Sequence, residues 1–166
     1  MHPVRTSLEA HLGSHQVTHV VYGSIIGLAL VVALESHPPS AAAMDGWLFG
    51  TAIAVGLAEL YSQVVGAETR TRHRVTRHEL VPMLEGTVAV AFGIAFPAVF
   101  FTLALLGVLS MEGAFTLAKW TGLVLIGFYG FWAARSAGAP LHQAVLRAFI
   151  VAAAGGVLIA LKALLH

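Results

Sequence analysis

An acid set inside an apolar run is the residue in this chain whose type and place most plainly invite chemistry. Glu59 lies twelve positions after Trp47, within the apolar stretch Trp47–Gly66, and no charge stands beside it in sequence. A carboxylate at membrane depth is costly, and by default it marks an ion or proton path. Ser62 and Gln63 follow at i+3 and i+4, so a helix should bring them to the face of Glu59. Glu59, Ser62 and Gln63 would then form an inward polar strip whose oxygens suit a hard cation or a proton. The other reading is that Glu59 hydrogen-bonds across helices and only fixes their register. Glu68 and Glu85 sit at the ends of neighbouring apolar runs and would stand at the mouth of a path to Glu59. Equally, Glu68 can pair with nearby arginines and Glu85 suits a helix N-terminus. Glu35, His37 and Asp45 mark the opposite mouth with the same two readings.

Nine histidines are many for 166 residues. His11, His15 and His19 are spaced i, i+4, i+8, a spacing that lets two imidazoles of one helix hold a metal. Together with His73, His78, Glu68 and Glu79, expected at the same membrane face, His11 and His15 could gather a divalent metal ion as a substrate. The alternative is an interfacial amphipathic helix with Val4, Leu8 and Leu12 on its apolar side. Arg70, Arg72, Arg74 and Arg77 form a basic run that reads as a contact with anionic lipids. No cysteine is present, which removes disulfides and thiol chemistry. The chain contains no phosphate-binding glycine loop, no HExxH and no GxSxG, so an enzyme is not expected. A formal charge of +1 gives no footprint for nucleic acid.

The elements that must position these groups follow from composition. Hydrophobic residues make up 58% of the chain and charged residues 10%, against about 25% charged in a soluble domain. That balance points to an integral membrane protein. Five apolar stretches, about Thr18–Leu34, Trp47–Gly66, Gly86–Leu109, Phe115–Ala134 and Ala144–Leu161, each fall near the roughly 17–25 residues of a spanning helix. The expected fold is all-α, a polytopic transmembrane bundle of five helices over residues 18–166, behind an N-terminal segment of residues 1–17. Pro97 should kink the third helix, because it cannot donate to the Gly93 carbonyl. All seven arginines fall on one side of this layout and both lysines on the other. The positive-inside rule then puts the N-terminus in the cytoplasm and the C-terminus outside, as for a multi-pass protein of the cell (inner) membrane. Helices in lipid associate through small residues. Three helices carry stripes of them: Gly23 and Gly27; Gly46, Gly50, Ala54 and Ala58; and Ala144, Ala148, Ala152, Gly156 and Ala160. Such stripes either pack helices within one chain or form the seam of a homodimer.

The run Gly56-Leu57-Ala58-Glu59-Leu60-Tyr61-Ser62, followed by Glu68-Thr69-Arg70, resembles the second helix of the vacuolar iron transporter family. The glycine- and alanine-rich last helix after a basic start is similar too. The resemblance implies five helices, a dimer, Glu59 as the second-helix glutamate and Glu68 as an acid of its cytoplasmic extension. Where that family has an Asp-Gly pair in the first helix, this chain has Tyr22-Gly23. The expected function is transport of a cation, a divalent metal or a proton, past the intramembrane glutamate. The alternative is a non-transporting membrane scaffold or accessory subunit that binds lipid and partner helices.

Overall fold

The computed structural model describes residues 14–165. Among them are six helices: α1 (Ser14–Leu34), α2 (Ala41–Thr71), α3 (Arg77–Ala95), α4 (Ala98–Leu105), α5 (Met111–Ser136) and α6 (Leu141–Leu165). No strand occurs among the described residues.

Polar residues set the helix ends more closely than hydropathy does. The Ser40 hydroxyl accepts from the Ala43 N–H and starts α2 six residues ahead of Trp47. Arg72 closes α2 in the left-handed conformation, φ 56°, and donates its N–H to the Glu68 carbonyl. Such a terminus is normally glycine or asparagine. Thr76 and Glu79 form a reciprocal capping box at the head of α3. The expected kink appears as a full break. Pro97 separates α3 from α4, and their axes bend by 46°. The stretch Gly86–Leu109 is therefore two helices rather than one.

The first stripe of small residues explains the tightest packing. α1 and α3 run parallel, and each meets the other through glycine. A Cβ at Gly23 would collide with the Val90 carbonyl, and one at Gly27 would lie 2.8 Å from the Ile94 oxygen. From the other side, a Cβ at Gly93 would lie 2.5 Å from the Val20 oxygen. α5 runs antiparallel to α1 and covers it through Leu28, Val32 and Ile126. At the far end Met44, Leu48, Val31 and Phe101 pack on Ala114 and Phe115, with the Phe101 and Phe115 rings edge to face at 4.9 Å.

Apolar side chains also cover the outside. Ile53 and Leu57 on α2, Val88 on α3, Val124 on α5 and Phe149 on α6 are more than half exposed, an inventory that suits lipid rather than water. Three helices, α1, α2 and α5, are long and apolar enough to cross a membrane. The bent α3–α4 pair makes a fourth if it is one span. These lengths are consistent with a membrane location.

Candidate functional site

α1 and α2 bring a histidine to the glutamate. Nδ1 of His19 lies 3.8 Å from Oε1 of Glu59, and the same oxygen accepts a 2.8 Å hydrogen bond from Nε2 of Gln63. Both side chains are sheltered, 20% and 26% exposed. α3 makes the room. A Cβ at position 86 would stand 3.0 Å from Nε2 of His19, so glycine there lets the imidazole approach α3 closely. One turn further along, Gly56 of α2 packs on the Thr87 methyl group. α1 and α2 thus meet at Glu59, and α3 contributes by giving His19 its room. Chemically, the His19–Glu59–Gln63 group can bind a cation through oxygen and imidazole nitrogen, or pass a proton between carboxylate and imidazole.

Ser62 is placed differently. It is exposed, although it was expected on the inward strip. Its i+3 spacing sets it about 60° round the helix from Glu59, on the side of Ala58, by the 3.6-residue turn. Ala58, Ala54, Gly50 and Gly46 are exposed with it. Only Gln63 of the two shares the inner face.

Glu68 is half-buried at the end of α2, where its carboxylate accepts the Val75 N–H at 3.3 Å and its carbonyl accepts from Arg72. It braces the turn between α2 and α3. Glu85 is exposed on the third turn of α3. His73 donates from Nδ1 to the Arg74 carbonyl at 2.9 Å, and His78 is exposed. Glu79 accepts from the Thr76 N–H at 2.8 Å and from its hydroxyl at 2.7 Å, and these bonds, the backbone one first, hold its carboxyl below the usual glutamate range. His11 lies outside the described residues, and His15 is described only as backbone of the first turn of α1. Among the described residues no three histidine or acidic side chains come together as a metal would require.

The opposite end of the bundle carries its own polar pairs. Nζ of Lys119 on α5 meets Oε1 of Glu35, just beyond α1, at 2.5 Å. Asp45 accepts from the Thr102 hydroxyl at 2.9 Å through Oδ2, while its buried Oδ1 has no partner among the described residues. The Ser24 hydroxyl, buried where α1 meets α3, is likewise without a partner among them. Arg70, Arg72, Arg74 and Arg77 are all exposed around the α2–α3 turn, at the end of the bundle nearer the His19–Glu59 pair.

The partnership of His19 with Glu59 was missed in the sequence, where forty positions separate them. A signal existed. His19, Gly23 and Gly27 are spaced i, i+4, i+8, so the histidine heads the very stripe on which α1 packs α3. No protein-family model, curated protein or solved structure matches this chain.

Proposed function

We propose that this chain is a five-span membrane protein that moves a cation past Glu59. The observation that supports the reading is convergence. Glu59 of α2 is met by His19 of α1 over a glycine of α3, whereas a carboxylate that merely fixed helix register would need only one donor. Imidazole beside carboxylate, with Gln63 as the remaining neighbour, is a relay better matched to protons than to a closed divalent site, which takes four or more ligands. A divalent metal remains the alternative cargo, in keeping with the resemblance of the Glu59 segment to the vacuolar iron transporters. In this reading α3 and α4 form one broken span, a feature transporters use to line substrate paths, and α6 is the fifth span. The arginine-bearing end faces the cytoplasm of a cell-membrane protein by the positive-inside rule, and Arg70, Arg72, Arg74 and Arg77 lie against anionic headgroups there.

One feature favours the scaffold reading instead. Gly46, Gly50, Ala54 and Ala58 form an exposed small-residue face on α2, and no atom of the described residues lies within 4 Å of a Cβ built at either glycine. Such a face is the natural seam of a homodimer or a docking surface for another protein's helix.

The two separate by flux. Reconstituted in liposomes, the wild-type chain should carry protons, or a divalent metal, down an imposed gradient. Glu59→Gln should reduce that flux to the level of empty liposomes while helix content and monodispersity stay unchanged. Flux unaltered by Glu59→Gln would remove the transport reading.

A further inference from the structure

A cleft of about 330 Å³ opens between the first turns of α1, the last turns of α5 and the first turns of α6. That size stands at the lower end of the roughly 300–1,000 Å³ of small-molecule sites. Its origin is plain in the sequence. α5 presents Gly130, Ala133 and Ala134 at this level, and such short side chains leave space that Val21, Ile150 and Val151 do not fill. Arg147 supplies the one formal charge among the described lining residues. Its guanidinium makes no hydrogen bond or ion pair with any described residue. It is placed six residues into α6, about 9 Å along the helix axis at 1.5 Å per residue. With α6 as the fifth span, as proposed above, that position would bring the guanidinium near the headgroups, and Ile150 and Val151 of the lining follow one turn further along α6.

We propose that this cleft is a binding site for an anionic phospholipid of the leaflet at the arginine-bearing end. One acyl chain lies in the cleft and the phosphate is held by Arg147. Charge complementarity selects this occupant. A neutral apolar helix would leave the guanidinium unpaired, whereas a phosphate oxygen pair matches its planar fork of donors. An acyl chain has the flexibility to fill an irregular gap lined by valine, isoleucine and alanine. The lipid would fill the space between α6 and the α1–α5 pair. The site is remote in sequence from the Arg70–Arg77 run and from the Glu59 group, and it stands whether or not the chain transports anything.

The test is lipid retention by the purified full-length protein, measured by native mass spectrometry after equilibration with mixed micelles of phosphatidylglycerol and phosphatidylcholine. Wild type should retain phosphatidylglycerol in preference. Arg147→Gln should lower that preference about fivefold, the worth of one juxtamembrane arginine facing an anionic lipid. Ala133→Leu, which fills the cleft and leaves the charge, should lower retention of both lipids. Arg74→Gln, in the exposed loop, should leave this tightly held fraction unchanged. Equal retention of the two lipids by wild type would overturn the proposal. So would loss in Arg74→Gln without loss in Arg147→Gln, which would mean loop electrostatics alone. Full retention by Ala133→Leu would also overturn it, because the headgroup would then bind without the cleft. Circular dichroism of each variant guards against misfolding, and Arg147→Lys, which keeps the charge, should fold and retain more phosphatidylglycerol than Arg147→Gln.

Discussion

Adding a single methyl group to Gly93 tests the crossing on which the site depends. In Gly93→Ala the new Cβ would stand 2.5 Å from the Val20 oxygen, 2.6 Å from the Ser24 nitrogen and 2.9 Å from the Gly23 carbonyl carbon. All three are backbone atoms and cannot swing aside, so α1 and α3 must part. Carbon contacts are optimal near 3.5–4.0 Å, and opening a packed face by about 0.5–1 Å forfeits a quarter to a half of each contact. Overpacking of this kind costs about 1–3 kcal/mol. Alanine is a better helix former than glycine by about 1 kcal/mol, which partly offsets the loss. Gly50→Ala is the matched control, since it makes the same change within a helix and no atom of the described residues lies within 4 Å of the new Cβ. The propensity gain cancels between the two variants. Gly93→Ala should therefore be less stable than Gly50→Ala by about 1–3 kcal/mol, the overpacking cost alone. Reversible unfolding in mixed micelles with increasing SDS reads that difference. Variants equal within about 0.5 kcal/mol, the range of an uneventful surface change, would refute the glycine-mediated α1–α3 crossing.

Other outcomes follow from the same geometry. Gly50→Leu should leave the fold of one chain intact but abolish chemical crosslinking between chains if the α2 face is a homodimer seam; persistent crosslinking would place the seam elsewhere. Glu79, in the polar first turn ahead of the apolar stretch Gly86–Leu109, has its carboxyl held below the ordinary value of 4.5 by hydrogen bonds from Thr76. Its contribution to the α3 cap is therefore present above that value and lost as pH falls through the lowered one. Hydrogen exchange at the Thr76 amide should show protection that fades on acidification, and Glu79→Gln should remove the pH dependence.

How much of this was legible in the sequence depended on the range of the interaction. The apolar stretches overlap every long helix among the described residues, because hydropathy records what each segment alone must bury. Their ends were less well placed. α2 extends to Ala41 and Thr71, well past Trp47–Gly66, since Ser40 and Arg72 close it and hydropathy does not register a cap. The break at Pro97 was foreseeable from one missing N–H. Three small-residue stripes looked alike as patterns, yet the one through Gly23 and Gly27 is packed against α3 and the one through Gly46 and Gly50 is open. Spacing says that a face can be approached closely; it does not say by what. The same limit hid His19. Glu59 stood out by its own chemistry, whereas its partner is defined by a crossing of two helices forty residues apart.

The placement of Glu59 has a consequence for both functional readings. α2 carries it, and α2 is the least covered of the candidate spans. Only 17% of its most apolar window is buried, against 44% for α1 and 33% for α5. Its inner face holds Met44, Leu48, Ala52 and Gly56 and continues to Glu59 and Gln63, while Gly46, Gly50, Ala54, Ala58 and Ser62 line the outer one. In lipid an exposed row of glycine and alanine gains little from acyl chains that cannot follow its groove, and a second helix can fill it better. A partner docked there would pack about 60° round α2 from the carboxylate and would cover Ser62, by the 3.6-residue turn. The small-residue face and the Glu59–Gln63 face are thus neighbouring faces of one helix. A contact that tilts or translates α2 at the seam must also change how Glu59 meets His19, whose own position is pinned by the glycine crossing of α1 and α3. On the reading proposed above, transport and association would then be coupled through the rigid body of α2 rather than being rival explanations of the same residues.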